Sequence, residues 1–201
     1  MNNKIVVILL SYILASCIIA PAFSQELTIE KKQIFVRGTS TLHDWESSVN
    51  EVTLTGVIEL EDKSLESLND IQVSIKSKSI KSTKGDLMDK KTHHALKSGQ
   101  HPSITYKMKS ANVDEKNSTV RMGGTLTIAG TSREVPLTLT YKVLSGQQIS
   151  FKTSHEINLK DFKIKPPTAM MGTIRTGEKV TVSLDMVVHV EEIASDISKN
   201  R

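Results

Sequence analysis

Val135-Pro136-Leu137-Thr138-Leu139-Thr140-Tyr141-Lys142-Val143 decides the fold class. Val135, Leu137, Leu139, Tyr141 and Val143 occupy alternate positions with Thr138, Thr140 and Lys142 between them. A period of two sends successive side chains to opposite faces of a strand. One face is apolar and the other polar, as in a strand with a core on one side and water on the other.

The same alternation runs outward in both directions. Before it come Ile104, Tyr106 and Met108, then Val120, Met122, Leu126 and Ile128, interrupted by Gly123-Gly124. After it come Ile149, Phe151, His155, Ile157 and Leu159, then Val180, Val182, Leu184, Met186, Val188 and Val190. Nearer the N-terminus, Leu27, Ile29, Ile34 and Val36 open a strand. Val52, Leu54, Val57, Ile58 and Leu60 make another with Gly56 as a bulge or bend, and Ile71, Val73 and Ile75 a third. Short turns such as Ala129-Gly130-Thr131 and Ser145-Gly146-Gln147 suit antiparallel neighbours. About eight strands with one apolar face predict an all-β domain, either an up-and-down barrel or a sandwich, and an eight-stranded barrel can hold one small ligand.

One segment breaks the pattern. The stretch from Asp86 reads as a short helix, with Asp86 as N-cap, Asp89 three residues on, Ser98-Gly99 ending it and Pro102 barring continuation. Its apolar content is only Leu87, Met88, Ala95 and Leu96. Isolated helices this short are marginal in water, so it is expected to lie across an end or side of the barrel.

The chain has 201 residues, 38% hydrophobic and 24% charged, which describes one ordinary folded domain. Residues 1–24 have one basic residue, Lys4, then an apolar run and small residues, the pattern of a secretory signal peptide. Cleavage after Ala22 or Ser24 fits, Ser24 being preferred, and leaves a domain over residues 25–201. The run from Ile5 to Ala20 is short for a spanning helix and ends at Pro21. The expected location is therefore periplasmic or secreted. The single cysteine lies in Leu14-Ala15-Ser16-Cys17, which resembles a bacterial lipobox, so a lipoprotein anchor through Cys17 is the alternative. A domain over residues 25–201 contains no disulfide. The formal charge is +4, with lysines and acids interspersed and only 4% aromatic residues. This is a solvated surface rather than a nucleic-acid footprint. Asn117-Ser118-Thr119 matches a glycosylation acceptor and is read as a turn.

Phe35-Val36-Arg37-Gly38-Thr39-Ser40-Thr41-Leu42-His43-Asp44-Trp45, Leu87-Met88-Asp89-Lys90-Lys91 with Ala95-Leu96, and Pro102-Ser103-Ile104-Thr105-Tyr106 resemble the YceI-like family. So do Gly124-Thr125-Leu126-Thr127-Ile128-Ala129-Gly130-Thr131, Val135-Pro136-Leu137 and Leu159-Lys160-Asp161-Phe162. The resemblance implies an extended eight-stranded antiparallel lipocalin-like barrel, exported from a bacterium. It further implies one short helix at the rim and an elongated apolar cavity for a polyisoprenoid, an isoprenoid quinone or another long amphiphile. Thr92-His93-His94 and His101 depart from what relatives often carry.

On this reading the cavity or rim positions from the first strands are Phe35, Leu42, His43, Trp45, Leu54 and Ile75. The helix and the strands after it add Leu87, Met88, Leu96, Ile104, Leu126 and Ile128. Leu137, Leu139, Phe151, His155, Phe162, Met170, Met171 and Met186 complete the set. Trp45 reads as a core plug or as cavity lining, and His155 as a satisfied core residue or a hydrogen-bond partner for a ligand head. Met170 and Met171 are loop packing or pliable lining at a mouth.

Asp89 and His93 form an i,i+4 pair that could ligate a metal, but His93 and His94 point about 100° apart and no regular metal spacing is present. No metal or cofactor is expected beyond a bound isoprenoid lipid or quinone. Ser40 and Ser132 lack a nucleophile elbow, and no phosphate-cradling loop appears, so no enzyme is expected. The expected function is non-catalytic carriage of a long apolar molecule, with membrane proximity through ligand exchange or lipidated Cys17, and with a homodimer allowed. The alternative is an envelope structural or stress-response module whose barrel is filled by its own side chains.

Overall fold

A computed structural model describes residues 25–190 except residue 62. The signal-peptide and Cys17 readings lie outside the described residues. Among the described residues, twelve strand segments and one α-helix follow in chain order. They are β1 (Gln25–Glu26), β2 (Thr28–Ser40), β3 (Trp45–Val49), β4 (Val52–Glu61), β5 (Ser64–Lys76), β6 (Ile80–Ser82) and α1 (Asp86–Ala95). After the helix come β7 (Ser103–Asp114), β8 (Thr119–Ile128), β9 (Thr131–Ser145), β10 (Gln148–Asn158), β11 (Thr168–Ala169) and β12 (Ile174–His189).

The predicted strands are present, but three of them are broken. Leu27 separates β1 from β2, Asn50-Glu51 separates β3 from β4, and a single 3₁₀ turn over Ser77–Ser79 separates β5 from β6. The last two breaks lie side by side and are stitched together. Lys76 N–H donates to Glu51 O at 3.3 Å, Asn50 N–H to Ser79 O at 3.2 Å, and Ser79 Oγ to Glu51 O at 3.3 Å. A paired kink of this kind lets a sheet wall bend without leaving buried backbone groups unbonded.

Rejoined across these breaks, and leaving aside β11, the segments are eight runs of chain whose antiparallel pairings form a ring. From β4 the order is β5, β7, β8, β9, β10, β12 and β2. β2 pairs with β3 along Phe35–Gly38, while β1, upstream on the same run, pairs with β4 at Thr55 and Gly56. The N-terminal run thus closes the barrel, holding the C-terminal strand on one edge and the β3–β4 run on the other.

Local sequence explains the joints. The turn between β8 and β9 is the two residues Ala129 and Gly130, with φ of 48° and 77°. Positive φ at both central positions belongs to the hairpin turn whose twist matches its strands. Gly56 has φ 137° where the β4–β5 register shifts, which confirms the expected bulge. Gly123-Gly124 does not interrupt β8; the shift falls on β7 opposite, between Met108 and Ser110. Asn117 sits in the β7–β8 turn, its backbone and side chain both bonded to Asp114.

The barrel interior is not uniform. At the end away from α1, Leu54, Ile58, Leu65, Leu68, Ile71, Val120, Met122, Ile149, Phe151, Met186 and Val188 are buried in one packed cluster. Each such side chain contributes about 1.5–3 kcal/mol through burial. This half is a solid core. At the other end β9 and β10 stop pairing beyond Thr140 and Lys152, and a 3₁₀ turn over Leu159–Phe162 packs against β9 and β12 there.

Candidate functional site

The α1 end of the barrel encloses a cavity of about 180 Å³. Its walls are apolar side chains from nearly every strand: Val36, Trp45, Val49, Ile75, Ile80, Ile104, Leu126, Ile128, Ile157, Val180 and Val182. Leu159, Ile164 and Pro167 close the side where β9 and β10 separate, and α1 covers the space with Met88, Lys91, Thr92, Ala95 and Leu96. Ser47, Ser82 and Thr176 are the remaining polar contributors. The spacing 88, 91/92, 95/96 is one helical face, so α1 presents its apolar stripe to the cavity.

Two local devices hold the cover. Gly85, with φ 87°, is the N-cap, rather than Asp86, and it provides no side-chain cap. Asp89, expected as a capping partner, is buried and bonds outside the helix. It accepts from Ser82 N–H at 2.7 Å and faces Lys81 Nζ at 3.1 Å, so its carboxyl is held below the usual range, first by the Ser82 bond and then by Lys81, against the opposing effect of burial. One turn on, His93 Nε2 donates to Ile80 O at 2.9 Å. The Asp89–His93 pair, considered above as metal ligands, therefore fastens the helix to β6. Among the described residues no group of three or more His, Cys, Asp or Glu is placed to hold a metal ion. On the other flank, Lys91 Nζ donates to Thr168 O at 2.9 Å and ties the helix to the 163–168 segment.

Glycines make room for the aromatic side chains near the cavity. Trp45 lies across Gly38, its partner on β2, where a Cβ would collide with the indole, and its Nε1–H donates to Thr39 O at 3.0 Å. Of the two readings for Trp45, the lining one describes its position. Two residues on from Ile104 along β7, Tyr106 lies over Gly124 and donates to Val135 O at 3.3 Å. Burial, with a smaller push from Glu134, raises its phenol to about 12. His101 lies over Gly130 in the same manner, and Ser77 Oγ donates to its carbonyl at 3.1 Å.

Of the expected site residues, Trp45, Ile75, Met88, Leu96, Ile104, Leu126 and Ile128 line this cavity. Leu54, Phe151 and Met186 belong to the packed far half, and Leu137 and Leu139 pack against it opposite Met122 and Val120. Phe162 is buried in its 3₁₀ turn, outside the walls. Phe35 points the opposite way from Ile34 and Val36, and the Arg37 guanidinium sits 5.0 Å from its ring. His155 has the interior phase expected of it, is half-buried opposite Val182, and is not a wall residue. Leu42, Leu87, Met170 and Met171 are exposed, and His43 lies on the surface with Nδ1 donating to Asp44 O at 2.8 Å. Leu87 faces away from the barrel because its place on the helix falls outside the 88/92/95 stripe. Val36, Ile157, Val180 and Val182 were visible as strand positions but not selected, Lys91 shares a helix side with Ala95 but was not selected, and Ile164 gave no signal.

A family model for the YceI-like domain matches residues 27–188. The chain belongs to the YceI-like family. No curated protein matches this family member by sequence. Among solved structures, Burkholderia cenocepacia BcnA is similar at 13% identity with a TM-score of 0.62, over 78% of this chain and 95% of that one. A polyisoprenoid binding domain from Saccharophagus degradans, implicated in plant cell wall breakdown, is similar at 14% identity and a TM-score of 0.61, over 83% and 98%. The Campylobacter jejuni YceI protein follows at 21% identity and a TM-score of 0.58, over 73% and 85%. These likenesses establish the YceI-like barrel as the fold.

Proposed function

We propose that this YceI-like protein is a non-catalytic binder and carrier of a long apolar molecule, an isoprenoid lipid or quinone, in an exported bacterial setting. The observation that carries the reading is the apolar cavity beneath α1, walled by side chains from almost the whole barrel. The polyisoprenoid-binding domain of the same fold supports the ligand class. The cavity's 180 Å³ lies below the roughly 300 Å³ at which ligand sites begin, so a long chain enters with displacement of the cover or extends out beneath it. The cover suits this, being held by a few polar bonds and a narrow apolar stripe.

The packed far half fits the alternative of a side-chain-filled module as far as it extends. That half limits the depth a ligand reaches rather than removing the cavity.

The test is to strip the protein of lipid and measure uptake of a fluorescent isoprenoid, with native mass spectrometry on protein taken from its own cell envelope. Leu96→Ser at the cavity wall lowers uptake, and Leu87→Ser on the exposed face leaves it unchanged. Protein that comes from the envelope empty and also takes up no isoprenoid refutes the reading.

A further inference from the structure

The α1 end of the barrel bears exposed apolar side chains that the cavity does not use. Among the described residues five large apolar side chains are exposed, and four of them, Leu42, Leu87, Met170 and Met171, stand at this end. The fifth, Leu144, lies near the β9–β10 turn at the opposite end. Leu42 is 66% exposed, Leu87 69% and Met170 73%, and Met171 is fully exposed. The turn after β2 and the tip between β11 and β12 are laced together. Thr41 N–H donates to Arg175 O at 3.0 Å and Thr41 Oγ1 to Thr173 O at 3.3 Å, while Arg175 Nε donates to Gly172 O at 3.2 Å across the base of the tip. Met170 and Met171 have φ of 48° and 54°, a left-handed backbone that glycine or asparagine takes more easily. Two flexible thioethers are thus held out in water where a small polar residue would fit with less strain.

The charge of the chain is gathered at the same end. Residues 41–45, 83–101 and 159–176, which cap it, hold eight Lys or Arg against four Asp or Glu, and the rest of the chain holds eighteen of each. The whole formal excess of +4 therefore surrounds the exposed apolar side chains. These side chains rise from three separate elements and form no groove. A protein partner would need a matching pocket for each of them, and a second copy meeting this end head-on would bring +4 against +4. A fluid bilayer accepts apolar side chains at any spacing, and an anionic leaflet attracts the cations around them.

We infer that the α1 end is a docking surface for an anionic lipid bilayer, with Leu42, Met170 and Met171 entering the headgroup region and the surrounding cations, Arg175 and Lys84 among them, lying against the lipid phosphates. The inference goes beyond the carrier reading and stands without it, since docking needs no occupant in the cavity. It also gives the fold an orientation. Trp45, three residues after Leu42, and Pro167, three before Met170, both line the cavity, so the docked face is the one that covers that space. The packed half of the barrel then points into water.

The experiment is co-sedimentation of the lipid-stripped protein with vesicles of phosphatidylcholine alone and of phosphatidylcholine with phosphatidylglycerol in equal parts. The anionic vesicles bind about tenfold tighter at low salt, and molar salt closes the gap by screening. Combining Leu42→Ser, Met170→Ser and Met171→Ser weakens binding to the anionic vesicles about tenfold, whereas Leu144→Ser leaves it unchanged. Insertion is read separately in single variants that keep the other tips. With the Trp45 signal subtracted, the added indole of Met171→Trp is quenched by lipids brominated on their acyl chains, and that of Leu144→Trp is not. Binding to neither vesicle overturns the inference, as does equal quenching at the two positions. Salt-sensitive adsorption with no quenching at residue 171 overturns it by showing a purely electrostatic contact. A dimer that the triple substitution dissolves, in protein that ignores vesicles, overturns it in favour of a second copy. Isoprenoid uptake from solution, measured on the same preparation, reports on the carrier reading alone, so either reading can fail without the other.

Discussion

Filling the cavity from the helix side separates the carrier reading from a purely structural barrel. Ala95 sits on the apolar stripe of α1 and forms part of the cavity wall. Ala95→Leu adds three carbons, each about the ~30 Å³ that a water molecule occupies in the liquid, so together they take up roughly half of the 180 Å³. Leucine is nearly as good a helix former as alanine, so α1 itself is little affected. Burying those carbons in empty apolar space stabilises the ligand-free protein by up to about 2 kcal/mol. For a domain of this size that raises Tm by roughly 4–8 °C.

The same carbons displace about three ligand atoms, at about 0.3 kcal/mol each, which weakens binding about fivefold before any steric clash is counted. Stability and affinity therefore move in opposite directions. Thermal unfolding of the lipid-stripped variant and isoprenoid titration measure the two. Raised stability with unchanged affinity would show that the ligand does not use this cavity, and a lower Tm would show that the space is not available to a leucine.

Three further outcomes follow from the anchoring contacts. Asp89→Ala strips Ser82 N–H of its acceptor and costs about 1–3 kcal/mol, read in urea unfolding, with faster hydrogen exchange confined to residues 80–96; global exchange at the same rate would mean that α1 is not a separable cover. Gly130→Ala combines a left-handed backbone with a collision against the His101 ring and destabilises by roughly 1–2 kcal/mol or more, and adding His101→Ala restores part of the loss; strict additivity of the two substitutions would contradict the contact. The Tyr106 phenol, raised to about 12 against an ordinary 10, stays neutral in the fold when its unfolded counterpart has ionised. Its contribution to stability is complete below pH 10 and is lost as the pH rises through 12, and absorbance of the Tyr106→Phe variant subtracted from wild type tracks the delayed ionisation.

The face on which a side chain lies was legible from the chain, and its height along the barrel was not. Period-two alternation put Ile104, Leu126, Ile128 and Ile75 inward correctly. It treated Leu54, Phe151 and Met186 the same way, although these three fill the solid end. Height follows from register, and register here depends on the shift at Gly56, the break at Asn50-Glu51 and the divergence of β9 from β10. None of these has a residue-level signature that fixes an offset between distant strands. Gly56 announced a bulge but not its partner. Phe35 was misplaced by choosing hydrophobicity over phase, since Ile34 and Val36 on either side already assigned it outward. On α1 the error was of the same kind, for Leu87 is the more apolar choice by composition, but the 3.6-residue period selects Met88, Ala95 and Leu96.

The antiparallel contact of β2 with β12, with Thr28 opposite His189 and Ser40 opposite Thr176, also decides when the molecule can exist at all. Those partners are separated by almost the whole domain, so loop-closure entropy falls most heavily on this seam and its formation belongs late in folding. Every earlier species exposes the free edges of β2 and β10 and an apolar interior open to solvent, the features through which sheet proteins associate wrongly. A chain emerging from a ribosome or a translocation pore meets that hazard until its last strand is free. The cost of a barrel sealed by its two ends is a vulnerable interval before the final strand is placed.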